Sequence, residues 1–252
     1  METIVQVLSI AIPLTVILCH YTVWRRPCPS AWPRVLMYHA CREAAPQGMK
    51  AALCVTPSRF EAQVRLLKKR GYAFVTLSEL VGRRDHTKVV AITFDDGYAE
   101  VAETVLPILE RYGAKATVFL AQSGCPCADL LLSPDQIRHL AASPLIEIGA
   151  HTLCHANLAD VPPDEAEREI AEGKAWVESL AGRPCAVFAY PYGRFTDATV
   201  ELLERHGFIA AVTVKKGFAP LTECFRIRRT NVLRSCNMIQ FRILLRCGRY
   251  KV

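Results

Sequence analysis

The chain has 252 residues, is 51% hydrophobic and 22% charged, and carries a formal net charge of +7. That suits one large globular domain and excludes a disordered or collagen-like chain. The excess charge sits partly at the ends (Arg25, Arg26, Arg242, Arg246, Arg249, Lys251) and forms no dense basic block interleaved with aromatics, so nucleic acid is not an expected partner.

Residues 4–24 are apolar with few interruptions, about the length that crosses a bilayer as a helix. The Met-Glu-Thr start lacks the basic residues of a cleaved leader, and no small-residue cleavage site follows, so the segment reads as an uncleaved anchor. A signal sequence with an unusual start is the alternative. Arg25 and Arg26 follow directly, and the positive-inside rule then holds the rest of the chain in the cytoplasm. The expected organisation is a membrane anchor at 1–26, a linker at 27–33 and one domain at 34–252. The 11 cysteines are odd in number, scattered and without a C-x-x-C pair, which argues against a disulfide framework. Cys125-Pro126-Cys127 reads as a loop.

Within the domain, residues 34–39 form an apolar strand ending in His39, and 40–55 read as a loop. Thr56-Pro57 opens a helix with Phe60, Val64 and Leu67 inward and Gly71 at its end. A short strand is expected at 73–76 and a buried, β-branched strand at 88–94. A helix follows at 100–112, a strand at 115–121, a helix from Ser133-Pro134, and a strand at 145–150 that delivers His151. Further on come a helix at 163–180, a strand at 185–190, a helix between Thr196 and Gly207, strands at 208–214 and 226–233, and a helix at 237–246. Such alternation predicts an α/β fold, either an open doubly wound sheet or a parallel barrel. In both, functional groups collect at the C-terminal ends of strands. His39, Asp95, Asp96, His151 and Tyr192 all fall there. No Gly-x-Gly-x-x-Gly or phosphate-loop motif follows the first strand, so a nucleotide cofactor is not expected.

The strand at 88–94 ends in Asp95-Asp96-Gly97. Two adjacent carboxylates behind an apolar strand repel each other and are poorly solvated unless a cation joins them; a strand-end turn is the plainer reading. His151-Thr-Leu-Cys-His155 has the i, i+4 spacing of a metalloprotease helix, but Thr152 stands where that motif has its base, and a strand precedes it. One carboxylate with two imidazoles leaves positions open for water and substrate. Non-haem iron oxygenases share that ligand set but do not need a second adjacent carboxylate. The spare Asp is naturally a general base, and His39, on a different strand, is a candidate acid.

Three motifs, Thr93-Phe94-Asp95-Asp96-Gly97-Tyr98, His151-Thr-x-x-His155 and Tyr190-Pro191-Tyr192-Gly193, in that order, resemble the NodB-type polysaccharide deacetylases, carbohydrate esterase family four. Leu36-Met37-Tyr38-His39, residues 60–72 and Phe188-Ala-Tyr-Pro-Tyr-Gly193 look more narrowly like the poly-N-acetylglucosamine deacetylase branch. The resemblance covers about residues 35–234. It implies a distorted, incomplete (β/α) barrel and a metal-dependent deacetylase of N-acetylated amino sugars. It assigns Asp95 as base, Asp96, His151 and His155 as ligands of one divalent metal, zinc by expectation, and the Tyr192 N–H as an oxyanion donor. The branch takes its acid from the N-terminal histidine, which matches His39. Two departures stand out. Ala189 occupies the place where many relatives have an arginine that orients the base, and Arg229 is the candidate replacement. The C-terminal Leu-x-x-His motif is missing, since no histidine follows His206. A non-catalytic sugar-binding relative, and a deformylase or O-esterase using the same chemistry, are the alternatives. No protein partner is expected.

Overall fold

The computed structural model describes residues 26–249 and, before them, Ser9, Ala11, Pro13 and Thr15. The expected anchor therefore lies almost wholly outside the described residues. Among the described residues no helix is long and apolar enough to cross a membrane.

From Arg34 to Cys247, ten strands and seven α-helices alternate among the described residues. The strands are β1 (Arg34–Tyr38), β2 (Ala40–Cys41), β3 (Cys54–Val55), β4 (Ala73–Val75), β5 (Val89–Phe94), β6 (Ala116–Leu120), β7 (Ile146–Ala150), β8 (Val187–Ala189), β9 (Ala210–Val212) and β10 (Thr230–Asn231). The helices are α1 (Pro57–Lys69), α2 (Leu77–Gly82), α3 (Leu106–Tyr112), α4 (Pro134–Ala142), α5 (Pro163–Ala181), α6 (Asp197–Arg205) and α7 (Met238–Cys247). The main sheet runs β10-β1-β5-β6-β7-β8-β9, with β4 paired to the first half of β5, and every pairing is parallel. Its two edges nearly meet. Ile227 bridges Val212 of β9, and three residues later Thr230 pairs with Leu36 of β1. The sheet is thus a curled, incompletely closed barrel.

Period-2 alternation sorts each strand between two cores. On β5, Val90, Ile92 and Phe94 join the outer core under the helices, while Val89 and Ala91 face the interior of the curl with Val187, Ala189 and Ala210. The interior residues are mostly small because the curl is narrow. Continuing that register, Asp95 faces inward, and this places a carboxylate inside the rim. On the outer side Tyr38 stacks on Phe94 (5.4 Å, 25°) and meets Phe60 of α1 edge-on (5.3 Å, 84°), contacts worth about 0.5–1.5 kcal/mol each beyond area burial.

Several local expectations need correction. Residues 40–55 are not a plain loop: β2 and β3 pair in parallel there, around a 3-10 turn at Ala51–Leu53. α2 was not expected; its signal is the capping box in which Thr76 and Glu79 exchange hydrogen bonds. The helix at 100–112 begins as a π-turn, Val101–Val105, and becomes α-helical only from Leu106. Pro107 has no N–H to give Glu103, which disfavours a regular first turn. Thr56 starts α1 but makes no side-chain cap. The strand expected at 226–233 narrows to β10, because the segment switches partners: Ile227 makes an isolated bridge to Val212 of β9, and pairing with β1 begins only at Thr230.

The linker is docked. Arg34, 4% exposed, donates to the carbonyls of Pro29 and Leu245, and the Cys28 N–H donates to Arg246 O at 2.7 Å. One buried guanidinium thereby ties the entry of the domain to α7. No disulfide joins any two of the ten described cysteines.

Candidate active site

All seven residues singled out in the sequence lie at the rim of the curl. Six of them, His39, Asp95, Asp96, His151, His155 and Tyr192, line one cavity of about 150 Å³, together with Met49, Lys50, Leu53 and Tyr98 among others. Arg229 sits beneath it. Met49, Lys50 and Leu53 come from the segment between β2 and β3. That fold-over was invisible in the sequence, where the stretch has no apolar period.

Asp96, His151 and His155 bring one ligand atom each to within 4.8 Å of one another, and all three are buried. Nε2 of His151 is 3.6 Å and Nε2 of His155 is 3.5 Å from Asp96 Oδ1. His151 Nδ1–H donates to Ala189 O at 2.6 Å, which fixes its tautomer and leaves its Nε2 lone pair on the side of the carboxylate, as metal ligation requires. His155 Nδ1 shares a hydrogen bond of 3.1 Å with the Tyr192 hydroxyl, which is compatible with the same tautomer. Burial, and then the neighbouring His151, bring His155 down to about 4, so its imidazole is neutral and able to ligate at neutral pH. By donor type, tautomer and spacing, these residues fit a divalent cation. Cys125 Sγ, 3.7 Å from Asp96 Oδ1, adds a weak S–H donor, and burial pushes its thiol well up.

Asp95 has a different environment. Burial raises its carboxyl, but the charge and hydrogen bonds of Arg229 outweigh that and bring it to about 2. Arg229 is fully buried, pairs with both carboxylate oxygens at 2.5 and 2.7 Å, and donates also to Thr93 Oγ1 and Thr213 O. His39 is half-buried, and its Nδ1 is buried without a hydrogen-bond partner.

The loop carrying the two histidines is held from behind, which sequence reasoning missed. Glu169 of α5, 2% exposed, accepts from Leu153 N at 3.0 Å and Cys154 N at 2.8 Å, and its carbonyl takes Leu153 N as well. Gly173, one turn on, lets the loop lie against the helix: a Cβ there would stand 2.7 Å from Thr152 C. The only available signal was a Glu and a Gly four apart on an otherwise ordinary helix. Left-handed backbone clusters here, at Asp96 (φ 71°), Thr152 (φ 63°), His155 (φ 53°) and Tyr192 (φ 58°). Each such residue costs on the order of 1–3 kcal/mol, which the surrounding contacts must offset. Tyr192 is the second residue of a 3-10 turn, a position whose N–H has no intrahelical acceptor.

Fold and site together define a class: curled parallel α/β domains with a metal-type Asp-His-His set at the C-terminal rim of the sheet. Residues 82–211 match the sequence profile of the polysaccharide deacetylases, and the chain belongs to that family. It is 29% identical over 190 residues to the Bacillus subtilis protein YxkH, covering 73% of this chain and 65% of that one. It is 25% identical over 192 residues to the poly-beta-1,6-N-acetyl-D-glucosamine N-deacetylase of Staphylococcus epidermidis, covering 69% of this chain and 66% of that one. The chain thus spans just under two thirds of the length of these curated relatives. Among solved structures it is similar to the Streptococcus pyogenes deacetylase PplD, determined in complex with acetate. The TM-score is 0.74 at 26% identity, over 87% of this chain and 97% of that one.

Proposed function

We propose that this protein removes N-acetyl groups from N-acetylglucosamine-type sugars in a polysaccharide, an oligosaccharide or a lipid-linked saccharide. One observation carries the reading. A carboxylate held ionised by a buried arginine stands beside an Asp-His-His set, with an unpartnered histidine lining the same small cavity. Asp96, His151 and His155 would hold the cation, zinc by donor type, and Cys125 and Tyr192 steady two of those ligands. Such a cation supplies Lewis-acid chemistry, polarising a carbonyl and acidifying water. Asp95 takes the proton of the attacking water, and Arg229 keeps its lone pairs aimed. The Tyr192 N–H donates to the carbonyl oxygen as it gains charge. His39 gives a proton to the departing nitrogen, so the products are acetate and a free amine. The Staphylococcus epidermidis relative supports the amino-sugar class.

The test is acetate release from N-acetylglucosamine oligomers by protein stripped with chelator and then given zinc, cobalt, nickel or iron. Asp95→Asn should retain bound metal and lose about 10²–10⁴-fold in rate, while His151→Ala should lose both. Wild-type turnover by Asp95→Asn would remove the base from the scheme.

We further propose that residues 4–24 anchor the domain to a membrane, with Arg25 and Arg26 favouring its cytoplasmic face. Protease digestion of the domain in spheroplasts but not in sealed, intact cells would support an extracytoplasmic domain and overturn that orientation.

A further inference from the structure

Beside the metal-type centre lies a larger cavity of about 620 Å³, lined among others by Val35, Phe195, Lys215, Arg226 and Arg228. It is lined by the residues that follow β9, by the segment 219–228 that leads back to the sheet, and by Pro33 and Val35 at the start of β1. The wall between the two cavities is thin. Val214 lines both, and Gly193 packs so closely on it that a Cβ there would stand 2.3 Å from Val214 Cγ2. A group seated in the larger cavity is therefore a neighbour of whatever occupies the smaller one.

The charges of this cavity are unbalanced. Three cations, Lys215, Arg226 and Arg228, line it against one carboxylate, Glu223. Arg226 is committed, to Asp197 at 2.6 Å and Glu223 at 3.7 Å. Neither Lys215 nor the half-buried Arg228 has an ion-pair partner among the described residues. The backbone fixes them side by side: Thr213 N donates to Ile227 O at 2.9 Å and Arg229 N to Lys215 O at 3.2 Å. Two cations that line one cavity without a carboxylate partner make it attractive to an anion. Lys50, at the smaller cavity, is a further cation without an ion-pair partner, while both carboxylates there are engaged by the site itself.

We propose that the larger cavity is a subsite for an acidic group, a carboxylate or a phosphate, carried on the saccharide whose acetamido group enters the smaller cavity. It rests on the proposed deacetylase function for the identity of the carrier, but not for the anion. A uronate residue and the phosphate of a lipid-linked saccharide present the same chemistry to Lys215 and Arg228.

The experiment titrates the full chain with sodium glucuronate and with inorganic pyrophosphate, followed calorimetrically, in the wild type and in the double variant Lys215→Ala/Arg228→Ala. Saturable binding in the wild type, weakened at least about tenfold in the variant and by high salt, is expected. Because pyrophosphate carries the greater charge, the carrier is identified by the larger fold-loss in the double variant and not by the tighter raw affinity. No saturable binding, or equal binding by the variant, overturns the subsite. If the double variant loses its fold, Lys215→Ala alone, at an exposed position, reads the same effect. A second arm measures acetate release from neutral chitotetraose, where the variant should match the wild type in both kcat and KM. Should anions bind and depend on the two cations while no saccharide is deacetylated, the subsite stands and the enzymatic reading falls.

Discussion

Arg229 closes its guanidinium on both oxygens of Asp95, at 2.5 and 2.7 Å, across a sequence separation of 134 residues. Both side chains are almost fully buried. Removing one partner of such a pair leaves an uncompensated charge in a poorly solvated site. Arg229→Met should therefore lower the unfolding free energy by about 3–5 kcal/mol, read from urea denaturation. Arg229→Lys keeps the charge but not the planar fork. It should retain most of that stability and lose about 100-fold in acetate release through a misaimed carboxylate.

The Glu169 carboxylate acts at one remove from chemistry. Its two hydrogen bonds hold Leu153 and Cys154, the residues just before His155, in place. Both bonds end on Oε2, so Glu169→Gln would still offer an acceptor there, whereas Glu169→Ala removes it. In Glu169→Ala, metal affinity, measured calorimetrically on the chelator-treated protein, should fall about 10- to 100-fold, with helical content by circular dichroism unchanged. An unaltered affinity would mean that the loop keeps its shape without this clamp.

Tyr192 offers a milder probe. Its ring packs edge-on against His155 (4.7 Å, 73°) and its hydroxyl shares a hydrogen bond of 3.1 Å with Nδ1, yet the residue is 60% exposed. Tyr192→Phe removes that hydrogen bond and keeps the ring. A loss of about 1 kcal/mol, or roughly fivefold in metal affinity, is expected. The fold should be untouched, and the backbone N–H remains available to substrate.

Glu100 gives a pH dependence whose sign can be worked out. It is buried at the start of the π-turn, and Arg42 lies 2.6 Å away, but neither carboxylate oxygen accepts a hydrogen bond. Burial raises its pKa, with its own backbone N–H and then Arg42 only partly opposing. The folded state thus holds the proton more tightly than the unfolded state does. The stabilising contribution is complete below the unfolded value of 4.5 and is lost as pH rises through the folded value. Glu100→Gln should raise Tm at pH 7, and the gain should vanish below about pH 4. A Tm gain that persists in acid would point to packing instead of charge.

The apolar β-branched run before Asp95 and the spacing of the two histidines were readable without coordinates. A buried parallel strand needs an unbroken apolar sequence, and such strands present chemistry at their C-terminal ends. The alternation that turns Asp95 inward is also local, a matter of counting by two from Val89. Helix starts marked by reciprocal caps, as at Ser133 and Asn237, were legible for the same reason.

Other features depend on residues distant in the chain and carry no local signal. That Glu169 and Gly173 brace the histidine loop and that Lys215 and Arg228 share a cavity follow from how the sheet curls; the Arg229–Asp95 contact, which only the family resemblance pointed to, is made by the same curl. The curl arises from strand twist and from small interior residues packing across it, a sum over the whole sheet and not a property of any stretch. Sequence alone determined which chemistry-bearing residues reach a strand end. Tertiary structure decided which of them touch, because contact across a barrel depends on register and closure, and neither has a period that a linear pattern can show.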